Sequence, residues 1–452
     1  MAFFLLLAYL VLSFLRLGEL YPGLARFEIM DVAAVLAGLA AVGAMLQGRG
    51  PRFRQPQPFI LVAFALWAMF SVFAAIRWPG GALVSLISLA PSVAVFLLLY
   101  LNLDSYARVR TTCAALSLLA VVTAAQSVVS YHTGWRADTF LYAEREDVPE
   151  GEPEFDRANE DEDEGPEAAE GGVRWGPGWT VRIRSLGFLS DPNDLAQALV
   201  SILPMLFALR GPGRALRNAL LVWVPAAGLL YAIALTRSRG AIPALSLVLF
   251  LAFRRRLGRT LSLVLGVLGG LAAILLGFTG GRALSLDDSA EGRLEAWAAG
   301  LDMLKSSPIW GVGHGAFTDH NPLAAHNSFV HCFAETGLVG YFLWLALPVL
   351  TLHGLWRLQE SAPATDEGLE ARRWAHAAQL GLMGFLAGAF FLSRSYGVMF
   401  FLLLGIGTAV IDVSSREEWS EPGPGFLAWT TAVGVLSIVS VIGFWLVIKV
   451  LT

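Results

Sequence analysis

The sequence predicts an all-α polytopic membrane protein with about 12–13 transmembrane helices and two long extracytoplasmic loops. Hydrophobic residues make up 56% of the 452 residues and charged residues only 15%, whereas a soluble globular domain carries about 25% charged residues. One compact soluble core of this length cannot bury so large an apolar fraction, but a lipid-facing surface can be apolar too. The apolar residues also fall into runs of the length that crosses a bilayer core, about 20 residues.

The candidate spans follow one another along the whole chain. Thirteen segments qualify: 2–15, 29–47, 58–77, 81–102, 111–131, 192–209, 216–236, 240–253, 260–278, 329–354, 375–393, 395–413 and 426–450. The first and the eighth are short, which leaves twelve as an alternative count. The two cysteines, Cys113 and Cys332, fall in or beside apolar runs, and they predict neither a disulfide framework nor a metal cluster.

Arginines set the predicted orientation, because cytoplasmic loops retain Lys and Arg. Short basic loops alternate along the chain and contain Arg49, Arg52, Arg54, Arg108, Arg110, Arg210, Arg214, Arg217, Arg254, Arg255, Arg256, Arg259, Arg357, Arg372 and Arg373. We therefore expect a cytoplasmic N-terminus and, with thirteen spans, an external C-terminus. The complementary loops, near 132–191, 236–240, 279–328 and 394, are then extracytoplasmic.

Four regions are predicted. Residues 1–131 are N-terminal transmembrane helices, 132–191 an extracytoplasmic loop, 192–413 the membrane core with loop 279–328, and 414–452 a loop and the last helix. The first long loop contains an acidic insertion, 144–170, which we expect to be solvated and disordered because like charges repel. A repulsive lid or a cation-binding tract is the alternative. Residues 138–170 hold 15 of the 36 acids, so the rest of the chain is basic.

Charged residues left on the predicted outer side are functional candidates, because an ionisable residue at the edge of an apolar span is costly. In the first group, Arg184 precedes a helix start at which Asp191 and Pro192 form a predicted N-terminal cap, followed by Asn193. The second group is Thr-Arg-Ser-Arg-Gly at 236–240, squeezed between two spans. Its cations are Arg237 and Arg239.

Two further groups lie in and after the second long loop. Gly292 and Arg293 open a predicted helix that runs to about Lys305 and lies in the membrane interface. Its apolar face comprises Leu294, Trp297, Ala298, Leu301 and Leu304. The fourth group begins with Pro-Ile-Trp-Gly-Val-Gly at 308–313. It continues with His326, Asn327 and Ser328, which run directly into a span that contains His331 and Glu335.

This combination of residues suits a phosphate-bearing ligand at headgroup depth. A guanidinium stays charged and matches phosphate oxygens, and helix starts add backbone N–H donors. A histidine at the same depth can take a proton from a hydroxyl near neutral pH. Together these groups would let a lipid diphosphate leave while an acceptor hydroxyl attacks, which is glycosyl transfer from a lipid-linked sugar.

Structural roles compete with these functional ones. Extension of the side chain to lipid headgroups explains Arg182, Arg237 and Arg394 at least as well as ligand binding does, whereas Arg184 and Arg293 are stronger candidates because both lie beside helix starts. The four outer histidines, at 314, 320, 326 and 331, match no common zinc spacing, so no metal is predicted. His331 and Glu335 are four residues apart, and a mutual contact inside the bundle is an alternative role. The glycines at 311, 313 and 315 predict a turn.

The sequence resembles the O-antigen ligase and polymerase superfamily over about residues 180–350. The matching features are the segment 236–240, Gly292-Arg293 with Trp297, the segment 308–313, and His326-Asn327. The ligase motif of that family is His, then Asn, Ser or Gln, nine residues, and Gly-x-x-Gly. Here His326-Asn327 is followed by nine residues and then by Gly337 and Gly340. The acidic insertion departs from the family.

The resemblance implies a glycosyltransferase C-like membrane fold and a metal-independent, inverting glycosyltransferase without a cofactor. The donor would be a glycan on undecaprenyl diphosphate, presented at the periplasmic face of a bacterial inner membrane. Carried over residue by residue, Arg184 and Arg293 would hold the diphosphate and His326 would activate the acceptor hydroxyl. Arg237 and Arg239 would support donor binding. Asp191, Asn193, Asn327 and Glu335 would be supporting groups.

Three activities share these motifs. A ligase moves the glycan to lipid A–core, a polymerase moves it to another repeat unit, and a protein O-oligosaccharyltransferase moves it to a Ser or Thr hydroxyl. The motif favours a ligase or a protein glycosyltransferase over a polymerase. The partners implied are the lipid-linked donor, a hydroxyl acceptor and membrane lipids, with no nucleic acid. A carrier of lipid-linked saccharides is the alternative from another class, although its charges would typically lie near the midplane.

Overall fold

A computed structural model describes residues 1–48, 51, 53–145, 167–169, 172–174, 179–258, 261, 286–417 and 423–451. The predicted span 260–278, most of the acidic insertion and the start of loop 279–328 lie outside the described residues. The long helices are α1 (Ala2–Leu15), α2 (Ile29–Leu46), α3 (Gln57–Ile76), α4 (Pro79–Asn102), α5 (Tyr106–Thr133), α6 (Pro192–Ala208), α7 (Ala215–Leu235), α8 (Ala241–Leu257), α9 (Leu286–Ser306), α10 (Ser328–Ser361), α11 (Asp366–Ala389), α12 (Val398–Ser414) and α13 (Phe426–Leu451).

The predicted all-α polytopic membrane protein is confirmed. Within the described residues, seven helices are long and apolar enough to cross a membrane, and α1, α8 and α12 are shorter apolar helices. Every predicted span except 260–278 coincides with one of these helices or with α6 or α11. Residues 17–20, 22–25, 137–140 and 317–320 form single helical turns in the loops, and residues 187–189 form a 3₁₀ turn.

The centre of the bundle consists of α6, α10, α11 and α12. All residues of α12 from Met399 to Ser414 are buried, and α6 is buried on nearly every side. A helix that is surrounded by other helices does not need a polar face. By contrast, α13 exposes most of its side chains and α2 buries only Ala37 and Ala41, as lipid-facing helices do. The central helices therefore form a rigid platform for the loops at their ends.

The loops that we predicted to be extracytoplasmic meet at one end of this bundle. Arg182, from the first long loop, donates to the carbonyl of Thr236. Gly240 lies against Phe391, and the Ser328 hydroxyl donates to the carbonyl of Leu392. These contacts join all four predicted outer loops, which agrees with the topology derived from the arginines.

The predicted cytoplasmic loops meet at the opposite end. The Arg54 guanidinium donates to the carbonyl of Ser415 at 2.7 Å. Arg110 lies 3.7 Å from the carboxylate of Glu370, near the start of α11. In both pairs, a loop that we predicted to be cytoplasmic contacts another predicted cytoplasmic loop. The tertiary structure is therefore consistent with the predicted alternation of cytoplasmic and extracytoplasmic loops along the chain.

Two small pairs of antiparallel strands lie at the ends of the acidic insertion. Strand β1 (Leu141–Arg145) pairs with β4 (Trp179–Ile183), with Tyr142 opposite Arg182, and β2 (Glu167–Ala169) pairs with β3 (Gly172–Arg174). The prediction of disorder over 144–170 is therefore wrong at both ends of that range, because residues 144–145 and 167–169 are in strands. Pairing with a partner strand satisfies their backbone groups in spite of the unfavourable composition.

Candidate functional site

Helix α10 is broken at Gly337, the first glycine of the Gly-x-x-Gly pair. This residue has φ 66° and ψ −172°, a conformation that is essentially restricted to glycine. Beyond the break, the amide of Leu338 bonds to the carbonyl of Pro308 at 2.8 Å rather than to the preceding turn. The break therefore leaves the carbonyls of Ala334 and Glu335 available to other partners.

The loop 308–313 uses those carbonyls. The amide of Val312 donates to Ala334 at 3.0 Å, and the amide of Gly313 donates to Glu335 at 2.9 Å. A Cβ on Gly311 would lie 2.4 Å from the backbone of Glu335, so only glycine allows this approach. The two motif segments that are separated by more than twenty residues are thus one packed unit. The predicted turn at Gly311, Gly313 and Gly315 is confirmed, since all three have positive φ.

The His326-Asn327 pair forms the turn that begins α10. Asn327 is the N-cap, and its side-chain oxygen accepts from the amides of Phe329 and Val330 at 2.9 and 3.1 Å. Its side-chain amide donates to the carbonyl of Phe390 at 3.0 Å. His326 is exposed and has φ 46°, an uncommon conformation for a residue other than glycine. Asn327 therefore caps and anchors the turn, while the turn presents His326 to the outside.

The loop between α11 and α12 holds the other side of this turn. The Ser328 hydroxyl donates to Leu392 at 2.6 Å and accepts from the amide of Arg394 at 2.8 Å. The Ser395 hydroxyl donates to the carbonyl of Ser328 at 2.7 Å. Both serines are buried. Together with Asn327 they fix the backbone directly after His326.

Arg293 lies in the middle of α9 and not at a helix start. The helix begins at Leu286, so the prediction that it opens at residues 292–293 is wrong. Without a free N-terminal turn, the backbone around Arg293 contributes no anion-binding amides there. One turn later, the Trp297 indole donates to the carbonyl of Ala325 at 3.0 Å. This contact holds the helix that carries Arg293 against the residue before His326.

The apolar face of α9 is covered by protein. Trp297 is 8% exposed and packs edge-on against Phe390 and Phe444, with ring centroids 5.5 and 5.6 Å apart. Leu301 and Leu304 are buried as well. This face is therefore not free to contact lipid, and the position of the helix in the membrane interface stays a prediction. The periodicity predicted an apolar face correctly, but α10 and α13 cover it instead of lipid.

The first and second candidate groups meet through Arg182. Its Nε donates to the carbonyl of Thr236 at 2.9 Å, and its Nη2 donates to the side-chain oxygen of Asn193 at 2.9 Å. Asp191 accepts from the amide of Asn193 at 2.7 Å and is the N-cap of α6, as the sequence predicted. Asp191 and Asn193 thus position the start of α6 against strand β4.

Arg237 and Arg239 follow Thr236 directly and are exposed. Arg237 has φ 49°, so this short turn, like the His326 turn, contains a strained non-glycine residue.

Arg184 is held by a different contact. Its Nη2 donates to the carbonyl of Asp138 at 2.8 Å, and its Nε is buried with no hydrogen-bond partner among the described residues.

An ion pair joins this cationic side to the histidine side. Arg394 pairs with Asp194, and the amide of Arg394 bonds to the hydroxyl of Ser328. Asp194 follows Asn193, and Ser328 follows Asn327, so a continuous series of contacts runs from the start of α6 to the start of α10. Beside this ion pair lies a cavity of about 190 Å³, lined in part by Phe188, Gln197 and Met399.

Glu335 is buried in the helix below this turn. It is 1% exposed, and its Oε1 lies 3.1 Å from His331 Nε2 and accepts from the amide of Phe317 at 3.1 Å. The alternative from the sequence, that His331 and Glu335 contact each other, is confirmed. Among the described residues, no cluster of three or more His, Cys, Asp and Glu side chains has the arrangement of a metal site.

Comparison with known proteins gives one family and one relative. Residues 224–345 match the family described as O-antigen ligase. The resemblance to the O-antigen ligase family is confirmed. The exopolysaccharide production protein ExoQ of Rhizobium meliloti (strain 1021) is 29% identical over 125 residues, which are 23% of this chain and 29% of that relative. The chain thus matches less than a third of the length of this relative.

The O-antigen ligase-like segment, residues 224–345, contains the motif residues that form the packed unit around Gly337. Its candidate site residues are Arg237, Arg239, Arg293, His326, Asn327 and Glu335. The other candidates, Arg184, Asp191 and Asn193, lie before it and reach it through the contact of Arg182 with Thr236.

Sequence reasoning missed the roles of four residues. Arg182 and Arg394 were equally compatible with lipid headgroups, but the structure pairs them with Asn193 and Asp194. Asp194 was overlooked, although an acid at the edge of an apolar span was a sufficient signal. Ser395 lies in a loop of a few residues between two spans and gave no pattern that could have revealed its contact with Ser328.

Proposed function

We propose that this multi-pass membrane protein is a glycosyltransferase that moves a glycan from undecaprenyl diphosphate to an acceptor hydroxyl at the outer face of a bacterial inner membrane. The observation that carries the proposal is the series of contacts from Arg182 and Asn193 through Asp194 and Arg394 to Ser328. It joins an exposed arginine turn to an exposed histidine turn at one end of the bundle. The match to the O-antigen ligase family supports the same activity.

The reaction needs an acceptor oxygen that is more nucleophilic than a free hydroxyl. His326 is exposed on a fixed turn, so it can remove the hydroxyl proton as the oxygen attacks the anomeric carbon. A new C–O bond forms while the bond from that carbon to the diphosphate breaks. Undecaprenyl diphosphate leaves with the electron pair, the configuration inverts, and His326 releases its proton to water.

The arginines stabilise the leaving group in this scheme. Negative charge increases on the diphosphate as its bond to the sugar breaks, and a guanidinium at that position is worth more in the transition state than in the ground state. Arg184 and Arg293 are the proposed diphosphate ligands, supported by Arg237 and Arg239. We expect substitution of these arginines to affect donor affinity and turnover together.

Two acceptors have specific support. The His326-Asn327 and Gly337/Gly340 motif is shared by ligases and protein O-oligosaccharyltransferases, and of these two we propose a ligase that uses lipid A–core. The similarity to an exopolysaccharide production protein favours transfer to a growing glycan, which is repeat-unit polymerisation. Both reactions use the same donor and the same proton transfer, so they differ only in what occupies the acceptor side.

The test is transfer by the purified protein in lipid nanodiscs. The protein receives an undecaprenyl-diphosphate glycan together with lipid A–core, a second donor molecule or an acceptor protein. The variant is His326→Ala, and the matched control is His320→Ala, which removes another exposed histidine of the same loop. We expect transfer to one acceptor, its loss in His326→Ala and its retention in His320→Ala.

Two results would contradict the proposal. Transfer that continues in His326→Ala would remove the proposed base. If no acceptor receives glycan while the donor crosses the bilayer, the protein is a carrier of lipid-linked saccharides. In that case substitutions within the spans, rather than at His326, should abolish activity.

A further inference from the structure

A polar cluster, buried at Glu335 and Ser395 and half-buried at its other members, lies beneath the His326 turn, between the start of α10, the loop after α9 and the loop before α12. Its members are His331, Glu335, Ser395, His314 and Tyr396. The rings of His314 and His331 lie 4.4 and 5.2 Å from the ring of Tyr396. Each hydroxyl and each ring nitrogen has a limited number of hydrogens, so the hydrogens at the contacts of Ser395 and His331 can be counted.

The hydrogen on Ser395 is the starting point. Its hydroxyl lies 2.7 Å from the carbonyl of Ser328, and a carbonyl can only accept, so Ser395 donates there. A hydroxyl has one hydrogen. The second contact of this oxygen, at 3.1 Å from His331 Nδ1, must therefore use a hydrogen on the histidine. His331 carries a proton on Nδ1.

The other ring nitrogen faces Glu335. His331 Nε2 lies 3.1 Å from Glu335 Oε1, and that oxygen also accepts from the amide of Phe317. Two lone pairs cannot face each other at this distance without repulsion, so a proton lies between Nε2 and Oε1. Imidazole is the stronger base by about two pK units when both groups are free. The proton therefore belongs on Nε2, which makes the second N–H of the ring.

We infer that His331 is an imidazolium that donates one N–H to the Glu335 carboxylate and the other to Ser395, and that this charged link positions the His326 turn. The pair is a buried salt bridge in which both partners make additional hydrogen bonds, as such pairs require. The titratable groups that interact with His331 are His314 and Tyr396 from neighbouring elements and Glu335 from its own helix. Glu335 is the anion among them.

The link reaches both loops that flank the site. Through Ser395 and the carbonyl of Ser328, it fixes the loop before α12 to the first turn of α10. Through Glu335 and the amide of Phe317, it fixes the loop that leads from α9 towards His326. The positioning role rests on the proposed function, whereas the protonation state follows from the hydrogen bonds alone. His331 is thus a positioning residue, and His326 remains the proposed base.

Nitrogen NMR of the protein with ¹⁵N-labelled histidine rings, in nanodiscs at neutral pH, tests the protonation state. The signal of His331 is assigned by its loss in His331→Gln or, if that variant does not fold, by replacing the other histidines one at a time. We expect both ring nitrogens of His331 to have the shifts of protonated nitrogens. A wild-type His331 ring with one unprotonated nitrogen overturns the inference.

The variant Glu335→Gln separates charge from shape. A glutamine amide can donate to Nε2, so His331 should become neutral, with one protonated and one unprotonated nitrogen. The matched control is Glu360→Gln, an exposed glutamate on the same helix, which should leave both nitrogens protonated. If His331 stays doubly protonated in Glu335→Gln, Glu335 is not its counter-ion and the inference is wrong.

The positioning role has its own readout. We expect Glu335→Gln to reduce kcat for glycan transfer by up to about 100-fold, the effect of a small misplacement of a catalytic group, with little change in the KM for the donor. Unchanged kcat would overturn the positioning role. If the wild-type protein transfers nothing, the proposed function fails, but the NMR result still decides the protonation state.

Discussion

Substitution of Gly337 by alanine should open the packed unit beneath the candidate site. The glycine-only backbone conformation at this position costs any other residue about 1–3 kcal/mol. A Cβ there would also lie 2.2 Å from the carbonyl oxygen of Ile309 and 2.7 Å from the amide of Gly311. Both neighbours are backbone atoms, so the clash cannot be relieved by a side-chain rotation.

The chain can either keep the strained, clashing backbone or relieve the clash by straightening α10. The helix would then regain its own hydrogen bonds, and the loop would lose those of Val312, Gly313 and Pro308 with α10. Each lost bond costs about 1 kcal/mol, so either route costs about 3 kcal/mol or more. A free-energy change of that size corresponds to about a 100-fold change in an opening equilibrium.

The thiol of Cys332 provides the assay. This residue is 0% exposed and lies just over one turn before Gly337, so a maleimide reaches it only when this region opens. In a Cys113→Ser background, Gly337→Ala should be labelled at Cys332 about 100-fold faster than the parent. Equal labelling rates would refute the reasoning.

The matched control is Gly228→Ala. A Cβ at Gly228 meets no atom within 4 Å, and this glycine has an ordinary helical conformation in α7. We expect labelling at the parental rate or somewhat slower, because alanine favours a helix over glycine by about 1 kcal/mol. A fast rate in this control would mean that labelling reports any glycine substitution and not the break in α10.

Three further predictions concern individual groups. Removing the N-cap in Asn327→Ala should lower the free energy of unfolding by about 1–2 kcal/mol in a thermal or denaturant assay, since it also leaves the carbonyl of Phe390 without its donor. Asn327→Asp keeps the acceptor and should lower the free energy of unfolding by less. Equal decreases in the two variants would contradict the capping role. A double-mutant cycle of Asp194→Asn and Arg394→Gln should show a coupling of about 1–2 kcal/mol in stability; additive effects would mean that the ion pair contributes nothing. Burial lowers the pKa of His314 more than the charge of Glu335 raises it, so neutral His314 favours the folded state. This contribution to stability is present above the pKa of free histidine, about 6.5, and is lost as the pH falls through the lower pKa of the folded state. The decline in stability towards acidic pH should therefore be shallower in His314→Gln, and an unchanged decline would contradict this assignment.

The sequence alone determined the membrane architecture of this protein. Length and hydropathy of a span are local properties, because each helix must cross the same apolar layer. The side of the membrane on which each loop lies is also a local property, since it depends on the arginines next to each span. The contacts of Arg54 with Ser415 and of Arg182 with Thr236 agree with both predictions. The motif residues likewise identified the segment that matches the O-antigen ligase family.

Only the tertiary structure decided what the candidate residues do. Asn327 donates to the carbonyl of Phe390, Arg182 donates to the carbonyl of Thr236, and Arg394 pairs with an acid 200 residues away. These roles depend on hydrogen bonds between distant segments, which leave no periodicity in the sequence. The same holds for Gly337. The sequence contained the glycine, but only the structure shows that the loop 308–313 packs against the break in α10 and donates hydrogen bonds to the helix carbonyls that the break leaves without partners.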